Sequence, residues 1–188
     1  MSAEIIEKRS GDSVRRVAEM INAGKAGVFP CDTIYGLQAS ADEKMAARLY
    51  EIKRRPQNKS FITLISLEDL KKADLEVPQV LYDVWPAALT AILKAPDGTT
   101  HAVRVPSDPF LQELLPLTGP LYSTSVNFSG EQSLLTFSDI KPVFDDLVDF
   151  IVRDPDVHGG RPSTLVSFVE KPYRILRQGD FDASDLVK

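Results

Sequence analysis

Short apolar segments alternate with amphipathic helical patterns along this chain, and this alternation limits its fold more than any other feature. Apolar residues at helical spacing predict a helix over residues 13–23, with Gly24 where a helix commonly ends. A second helix is predicted between Asp42, a suitable N-cap, and Pro56, which stops helices. Strands are predicted in the apolar or β-branched segments 26–30, 60–66, 119–126, 148–153, 163–169 and 173–177.

A hairpin and further helices complete the pattern. The segments on either side of the turn "PDGT" predict a hairpin over residues 89–106. A third helix is predicted to begin at Asp108, and another to cover 138–147 despite Pro142. Strands alternating with helices predict an α/β fold, a twisted open sheet with parallel and antiparallel strands, flanked by helices. We expect one domain over residues 1–188, with a ligand site beyond the strand ends.

Composition excludes several classes of protein. The chain has 188 residues, and its 43% hydrophobic and 26% charged content is ordinary for a globular domain. No apolar run approaches the roughly 20 residues that cross a bilayer, so no membrane association is expected. A single cysteine, Cys31, rules out an internal disulfide framework and favours a reducing cytoplasm. Two histidines and no Cys-x-x-Cys pattern argue against a zinc site.

The charge of the chain favours a small anionic ligand over a long nucleic acid. The net charge is −5, whereas general nucleic-acid binders usually carry a basic excess. Four cations are nevertheless concentrated in "KRRPQNK", residues 53–59. This segment is either a solvated helix C-terminus, where cations suit the helix dipole, or a place where Lys53 and Arg55 meet phosphate or carboxylate oxygens.

The segment "FPCDTIYGL", residues 29–37, ends a predicted strand with a cluster of polar residues. Asp32 and Thr33 can bond neighbouring backbone N–H groups in a tight turn, with Gly36 supplying free dihedral angles. Alternatively, the Thr33 hydroxyl and nearby backbone donors face a small polar ligand. The residues alone leave both interpretations open.

The segment "STSVNFSG", residues 123–130, places three hydroxyls and an amide within its first five residues, at the end of another predicted strand. These side chains either cap the next helix or converge on a ligand. If the chain stays extended, Ser123, Ser125 and Asn127 share one side, because alternate residues of a strand face the same way. Three neutral donors beside the basic segment at 53–59 would suit an anion.

Two arginines lie in otherwise apolar strand segments and must reach an edge or a partner. Arg104 stands in "VRVP" and Arg177 in "ILRQG", while Ser163 and Thr164 open another predicted strand. The P-loop, dinucleotide-binding, zinc-protease and nucleophile-elbow motifs do not occur in the sequence. The residues alone therefore predict an α/β domain whose strand ends gather basic, hydroxyl and amide side chains around an anionic ligand.

These motifs, in this order, resemble the YrdC (TsaC) family of threonylcarbamoyl-AMP synthases. "PCDTIYGL" resembles the opening turn of that family, and Lys53, Arg55 and Pro56 resemble its Lys-x-Arg-Pro turn. The later matching segments are "WPAALT" (85–90), "RVP" (104–106), "STSVNFSG" (123–130), the pair Ser163 and Thr164, and "LRQG" (176–179). The order holds over nearly the whole chain.

The resemblance implies a YrdC-like sheet with a concave ligand groove, and an enzyme that is a nucleotidyltransferase. It implies that L-threonine, bicarbonate and ATP give threonylcarbamoyl-adenylate and pyrophosphate. Mg2+ would be held mainly through the ATP phosphates, without metal-ligating side chains. The adenylate would serve the modification of tRNA next to the anticodon, so tRNA would be a partner directly or through a downstream transferase complex.

The resemblance also implies roles for individual residues. The residues implied to be catalytic are Lys53, Arg55, Ser125 and Asn127. Those implied to bind threonine are Thr33 and Arg104. Those implied to bind ATP are Arg55, Lys59, Ser123, Ser125, Ser163 and Arg177.

Two alternatives remain at the level of sequence. Some members of the family were proposed to bind double-stranded RNA as modules in tRNA or ribosome maturation, although the net charge of −5 argues against this. YciO-like relatives with an altered substrate tend to lose the four residues implied to be catalytic, all of which this chain keeps.

Cys31 stands where the family usually has threonine, in the turn implied to bind the amino acid.

Overall fold

The fold is built of ten strands and six α-helices within the residues that the computed structural model describes, 2–57, 60–155 and 160–188. The strands are β1 (Glu4–Glu7), β2 (Gly27–Pro30), β3 (Tyr35–Ser40), β4 (Ile62–Leu64), β5 (Leu89–Lys94), β6 (Thr100–Arg104), β7 (Leu121–Ser125), β8 (Phe150–Arg153), β9 (Thr164–Ser167) and β10 (Arg174–Arg177). The helices are α1 (Ser13–Asn22), α2 (Glu43–Lys53), α3 (Leu67–Lys72), α4 (Gln79–Val84), α5 (Pro109–Thr118) and α6 (Phe137–Phe144). A 3-10 helix covers Ser184–Val187.

The strands form one sheet in the order β1-β8-β2-β3-β7-β4-β6-β5-β9-β10. Strands β1 and β2 pair in parallel with β8, and the pairs β4–β6 and β5–β9 are also parallel. The other neighbouring strands pair in antiparallel fashion. Parallel neighbours need crossover connections, and most of the helices lie in those connections. The predicted mixed open sheet flanked by helices is confirmed.

Local sequence signals fix the helix boundaries that matter for the site. Asp42 Oδ1 accepts a hydrogen bond from a backbone N–H in the first turn of α2, and Asp108 does the same for α5, whose first residue is Pro109. Helix α2 ends at Lys53, and the next residue, Arg54, caps it with left-handed φ and ψ angles of 50° and 44°. This conformation turns the chain and sends Arg55 away from the helix axis.

The two faces of the sheet are covered differently. One face, which includes Val28, Leu37 and Val103, packs against α2, α3, α4 and α6. The other face packs against α1 and α5 through residues that include Leu64 and Leu121. Beyond these two helices, a groove opens on that second face over strands β3, β7, β4, β6, β5 and β9.

Most predicted elements lie where the sequence places them, and the differences have local causes. Strand β1 is not predicted because its segment "EIIE" has only two apolar residues, and β3 is not predicted because it follows the polar turn directly. Helix α4 is also missing from the prediction. The ligand site was predicted beyond the strand ends, but the groove crosses the face of the sheet, because α1 and α5 cover only part of that face. Among the described residues, no helix combines the length and the apolar character needed to cross a membrane.

Candidate active site

A cavity of about 410 Å³ occupies the groove, a size typical of small-molecule sites. Its floor is the sheet itself. Ile62 pairs in register with both Ser123 and Ala102, and Ala102 pairs with Ile92, so these side chains share one face. The floor is therefore apolar over β4, β6 and β5 and polar over β7. The sequence-predicted site residues that line the cavity are Thr33, Arg55, Arg104, Ser123, Ser125, Ser163 and Arg177.

Arg104 and Asp32 form a buried ion pair beside the cavity. Arg104 Nη2 donates to Asp32 Oδ1, and Arg104 Nη1 donates to Thr33 Oγ1 at 3.1 Å. Asp32 Oδ2 also accepts hydrogen bonds from the backbone N–H of Ser107 at 3.0 Å and from its hydroxyl at 2.6 Å. Because Arg104 uses a lone pair of the Thr33 oxygen, the hydroxyl proton of Thr33 is available to donate to an acceptor in the cavity. Burial lowers the pKa of Arg104, yet a guanidinium stays protonated in proteins.

Arg55 reaches the cavity from the end of α2. Its Nη1 donates to Thr124 Oγ1 at 3.3 Å, and its Nη2 donates to the carbonyl of Ser60 at 3.0 Å. The guanidinium lies 5.2 Å from the centre of the Phe61 ring. Its buried Nε has no hydrogen-bond partner among the described residues. The contacts of this guanidinium within the described part of the chain are with neutral oxygens and a ring, so it is suited to an incoming anion, although burial lowers its pKa.

Lys53 lies behind the wall of the cavity. Its Nζ donates to the carbonyl of Ser125 at 2.5 Å and to the carbonyl and Oδ1 of Asn127, both at 3.0 Å. Only 2% of Lys53 is exposed. Burial, reinforced by the charge of Arg55, lowers the pKa of Lys53 from its ordinary 10.5 to about 8. The Ser125 hydroxyl also donates to Asn127 Oδ1 at 2.6 Å, so Lys53 and Asn127 together fix the turn that follows β7.

Ser163 and Arg177 close another side of the cavity. Ser163 Oγ and Thr90 Oγ1 share a hydrogen bond of 2.7 Å. Arg177 donates from Nε to the Ser163 carbonyl at 3.0 Å and from Nη2 to the Ser163 hydroxyl at 3.3 Å. Gly179 packs against this segment so closely that a Cβ there would lie 2.3 Å from the carbonyl oxygen of Pro162. The absence of a side chain at this position lets the chain after β10 support Ser163.

One wall of the cavity contains Cys31, which is hydrogen-bonded to the buried Gln38. Cys31 lines the cavity with only 3% of its surface exposed, and burial raises the pKa of its thiol to about 11. Gln38 Nε2 donates to Cys31 Sγ at 3.3 Å and to the Phe29 carbonyl at 3.1 Å, while its Oε1 has no partner among the described residues. A Cβ on Gly36 would lie 2.8 Å from Gln38 Nε2 and 3.0 Å from Ser123 Oγ. This wall is therefore neutral and closely packed.

The structure brings most of the predicted site residues together and sets two apart. Lys53 and Asn127 contact the turn behind the wall and do not line the cavity. Strand β7 ends at Ser125, so the shared side predicted for Ser123, Ser125 and Asn127 holds only for the two serines. Lys59, predicted to bind phosphates, lies outside the described residues.

Sequence reasoning missed the partners that orient the site residues. Each missed contact joins two residues that are about seventy positions apart in the sequence, and only the strand register brings them together. Asp32 alone carried a signal, because it stands in the polar turn that ends β2. The missed contacts are Asp32–Arg104, Thr124–Arg55 and Thr90–Ser163.

Comparison with known proteins agrees with this fold. A family model for Sua5, YciO and YrdC proteins, described as "Telomere recombination", matches residues 19–179. The chain belongs to this family. It is similar to the threonylcarbamoyl-AMP synthase of Pyrococcus abyssi, with 29% identity over 191 residues that cover 93% of this chain and 56% of the relative.

Two further relatives show how far the similarity extends. The threonylcarbamoyl-AMP synthase of Pseudoalteromonas translucida is 30% identical over 160 residues, which cover 76% of this chain and 86% of the relative. The crystal structure of Pyrococcus abyssi Sua5 complexed with L-threonine superposes with a TM-score of 0.87 at 27% identity. The match covers 99% of this chain and 60% of that protein, so the chain spans little more than half the length of the P. abyssi relative.

Proposed function

We propose that this protein is a threonylcarbamoyl-AMP synthase, which converts L-threonine, bicarbonate and ATP into threonylcarbamoyl-adenylate, pyrophosphate and water. The observation that carries the proposal is the convergence of Thr33, Arg55, Arg104, Ser125 and Arg177 on one cavity. Arginines and hydroxyls around a partly apolar floor suit a ligand that is both anionic and aromatic. The names of its relatives support the same activity.

The amino acid would bind at the turn that contains Thr33. The Thr33 hydroxyl is oriented by Arg104, so its proton can be donated to a carboxylate oxygen of threonine. Arg104 would act mainly through this orientation and through its charge, because Asp32 already occupies its Nη2. The neutral wall at Cys31 would lie nearby and would affect which amino-acid side chains are accepted.

The nucleotide would bind across the rest of the cavity. Arg55 is suited to the phosphates because its contacts with other described residues are to neutral groups, and the hydroxyls of Ser123 and Ser125 line the same cavity. The apolar floor, which includes Ile62, would accept the adenine ring by hydrophobic contact. Ser163 and Arg177 would close on the nucleotide, as their position beside this floor suggests.

The chemistry depends on alignment and on neutralising charge. The amine of threonine takes up CO2 from bicarbonate as a carbamate. A carbamate oxygen then attacks the α-phosphorus of ATP, and the bond to the pyrophosphate oxygen breaks. Arg55 and Ser125 would hold the phosphates in line with the attack, while Thr33 holds the other reactant. Lys53 would act from behind the wall, by fixing the Ser125 turn and by adding positive charge.

The residues of the cavity fit a magnesium ion that is carried by the nucleotide. Among the described residues, the oxygen-bearing side chains that line the cavity carry hydroxyls and not carboxylates. Asp32, next to Thr33, has both oxygens bonded to Arg104 and Ser107. Mg2+ commonly keeps waters and binds through substrate phosphates, so Ser125 would supply at most one protein oxygen. When bound, the ion would neutralise phosphate charge.

We extend the proposal to the fate of the product and the place of the reaction. Threonylcarbamoyl-adenylate is a mixed anhydride, which must be consumed by an acyl-type transfer to a nucleophile. We propose that this nucleophile is an adenosine of tRNA, which meets the product through a downstream transferase. The buried, protonated thiol of Cys31 suits the cytoplasm, where we place the reaction.

The direct test is to follow pyrophosphate release from ATP and Mg2+, leaving out threonine and bicarbonate in turn. We expect release only when all components are present. Thr33→Val should raise KM for threonine and leave KM for ATP unchanged, because it removes only the oriented hydroxyl. Thr118→Val, at the end of α5, is the matched control and should change neither value. Pyrophosphate release that does not depend on threonine would overturn the proposal.

A further inference from the structure

Two turns of the site contact each other: the basic turn with Lys53 and Arg55, and the turn with Asn127 that follows β7. The side chains that meet belong to residues to which the sequence motifs assign no role. Arg54 lies between the two basic residues of one turn, and Phe128 follows Asn127 in the other. The guanidinium carbon of Arg54 lies 4.3 Å from the centre of the Phe128 ring. The backbones also meet, because the N–H of Ser129 donates to the carbonyl of Lys53 at 3.0 Å.

Arg54 has an unusual backbone conformation for its residue type. It is the one non-glycine residue with a positive φ in the described part of the chain. Its own N–H bonds to the Glu51 carbonyl at 3.0 Å, and the next N–H bonds to the Tyr50 carbonyl at 2.9 Å, which closes the end of α2. Glycine adopts this conformation without steric cost. Any advantage of arginine here must therefore come from its side chain, which contacts Phe128.

The partner of Arg54 is anchored in the hydrophobic core. The Phe128 ring stacks on Phe144 with a centroid distance of 5.5 Å, and Phe144 is fully buried. Neither Arg54 nor Phe128 lines the cavity. The next residue, Arg55, does line it, so the φ and ψ angles of Arg54 determine the direction from which the Arg55 guanidinium enters.

We propose that Arg54 and Phe128 form a positioning pair that fixes Arg55 relative to Ser125 across the cavity. The pair acts on the side that the proposed function gives to the phosphates, and the inference rests on that function. Small displacements of a group that aligns reactants are costly to binding and rate. Loss of the pair therefore weakens nucleotide binding, whereas the amino-acid side at Thr33 keeps its own contacts with Arg104.

Three single variants and one double variant separate the contact from the backbone. Arg54→Gly removes the contact and the backbone strain together, Arg54→Ala removes the contact and keeps the strain, and Phe128→Leu removes the ring. We expect each to raise KM for ATP by roughly 3- to 10-fold and to leave KM for threonine unchanged. The double variant Arg54→Gly with Phe128→Leu should have a KM for ATP no higher than that of either single variant, because both changes remove the same contact. Arg54→Ala should melt about 2–4 °C below Arg54→Gly.

A second arginine–phenylalanine pair, also with a partly buried ring, is the matched control. Arg153 lies 5.8 Å from the centre of the Phe137 ring, and neither residue lines the cavity. Arg153→Ala and Phe137→Leu should leave KM for ATP unchanged. Arg54→Lys, which keeps a cation over the ring, should recover part of the lost affinity. Additive losses in the double variant, or an unchanged KM for ATP in Arg54→Gly, would overturn the positioning pair.

Hydrogen exchange tests the pair independently of activity. In the protein without ligand, Arg54→Gly and Phe128→Leu should speed exchange in peptides that cover 125–130, and the control variants should not. If the unaltered protein releases no pyrophosphate, the proposed function fails, but faster exchange in these two variants still supports the contact. Unchanged exchange in both variants would overturn the pairing itself.

Discussion

Lys53 and Arg104 are both buried cations beside the same cavity, yet the protein neutralises their charges differently. Arg104 faces the carboxylate of Asp32, so its charge is cancelled within the fold. Within the described residues, Lys53 faces neutral oxygens of Ser125 and Asn127, so its charge is hydrogen-bonded but not cancelled there. The pKa of Lys53 falls to about 8 for this reason, because burial disfavours a charge without an anionic partner.

The two sides of the site therefore differ in their balance of charge. One side contains both partners of an ion pair, and the other has cations without a carboxylate among their described contacts. The turn with Asp32 and Thr33 is held together by the ion pair with Arg104, whose two partners both belong to the fold. On the other side, Lys53 and Arg55 place two positive charges close together without a carboxylate among their described contacts. A polyanion such as the triphosphate of ATP would supply the missing negative charge.

The largest expected effect follows from breaking the ion pair. Asp32→Ala leaves Arg104 buried without its carboxylate, and we expect the free energy of unfolding to fall by about 3–5 kcal/mol. Urea denaturation measures this change. Combining Asp32→Ala with Arg104→Met should recover much of the loss, because it removes the unpaired charge. A loss of less than about 1 kcal/mol, the range of exposed pairs, would show that the pair is not buried in solution.

Removing Lys53 should destabilise the protein less and impair nucleotide binding more. Lys53→Met leaves oxygens of Ser125 and Asn127 without a donor, but it buries no unpaired charge, so we expect a loss of about 1–3 kcal/mol. Nucleotide affinity, measured by calorimetry, should fall by tenfold or more, because the variant loses a positive charge beside the cavity. A tenfold loss corresponds to about 1.4 kcal/mol of binding free energy. Lys53→Arg keeps the charge and is the control. Equal losses of stability in Lys53→Met and Asp32→Ala would contradict the comparison.

The pH dependence should separate stability from binding, because the pKa of Lys53 is about 8 in the folded chain and 10.5 ordinarily. Between these values the unfolded chain holds a proton that the folded chain has released. The contribution of Lys53 to stability therefore rises with pH across that window. Nucleotide affinity should fall as pH rises through about 8, because the charge is lost.

Calorimetry and urea unfolding over this range, repeated with Lys53→Arg, measure both trends. Arginine stays protonated throughout, so both trends should be absent in that variant. Nucleotide affinity that stays constant across the window would mean that the Lys53 charge does not contribute to binding.

The smallest expected effect on stability comes from Ser107, whose hydroxyl donates to the carboxylate of the ion pair. Ser107→Ala removes one hydroxyl that donates to Asp32, while the backbone N–H of residue 107 still donates. We expect a loss of about 1 kcal/mol in the free energy of unfolding and no change in KM for ATP. A loss as large as that of Asp32→Ala would show that Ser107, and not Arg104, is the main partner of Asp32.

The sequence predicts the elements well where local signals act alone. Asp42 and Asp108 cap helices as predicted, and the hairpin of β5 and β6 forms around "PDGT". These features depend on neighbouring residues, so periodicity and turn chemistry are sufficient. The short strand β1 depends on its parallel pairing with β8, far along the chain, and no local signal marks it.

The site shows the same limit more sharply. The motifs identify Arg104 and Arg55, but not whether each meets an anion or a neutral group, because their partners lie about seventy positions away. Lys53 is predicted within the site, yet its exposed fraction of 2% and its contact with Asn127 depend on how two turns pack. Burial and register are tertiary properties, and single-sequence patterns do not contain them.

The most direct measurement is to incubate the protein with ATP, Mg2+, threonine and carbon-13 bicarbonate, and to identify the product by mass spectrometry. The account predicts threonylcarbamoyl-adenylate that is heavier by the mass of one carbon-13 substitution, formed together with pyrophosphate. It also predicts that Lys53→Met, which disrupts the side without a carboxylate, yields little of this product. An adenylate without the label, or formed without threonine, would contradict the account.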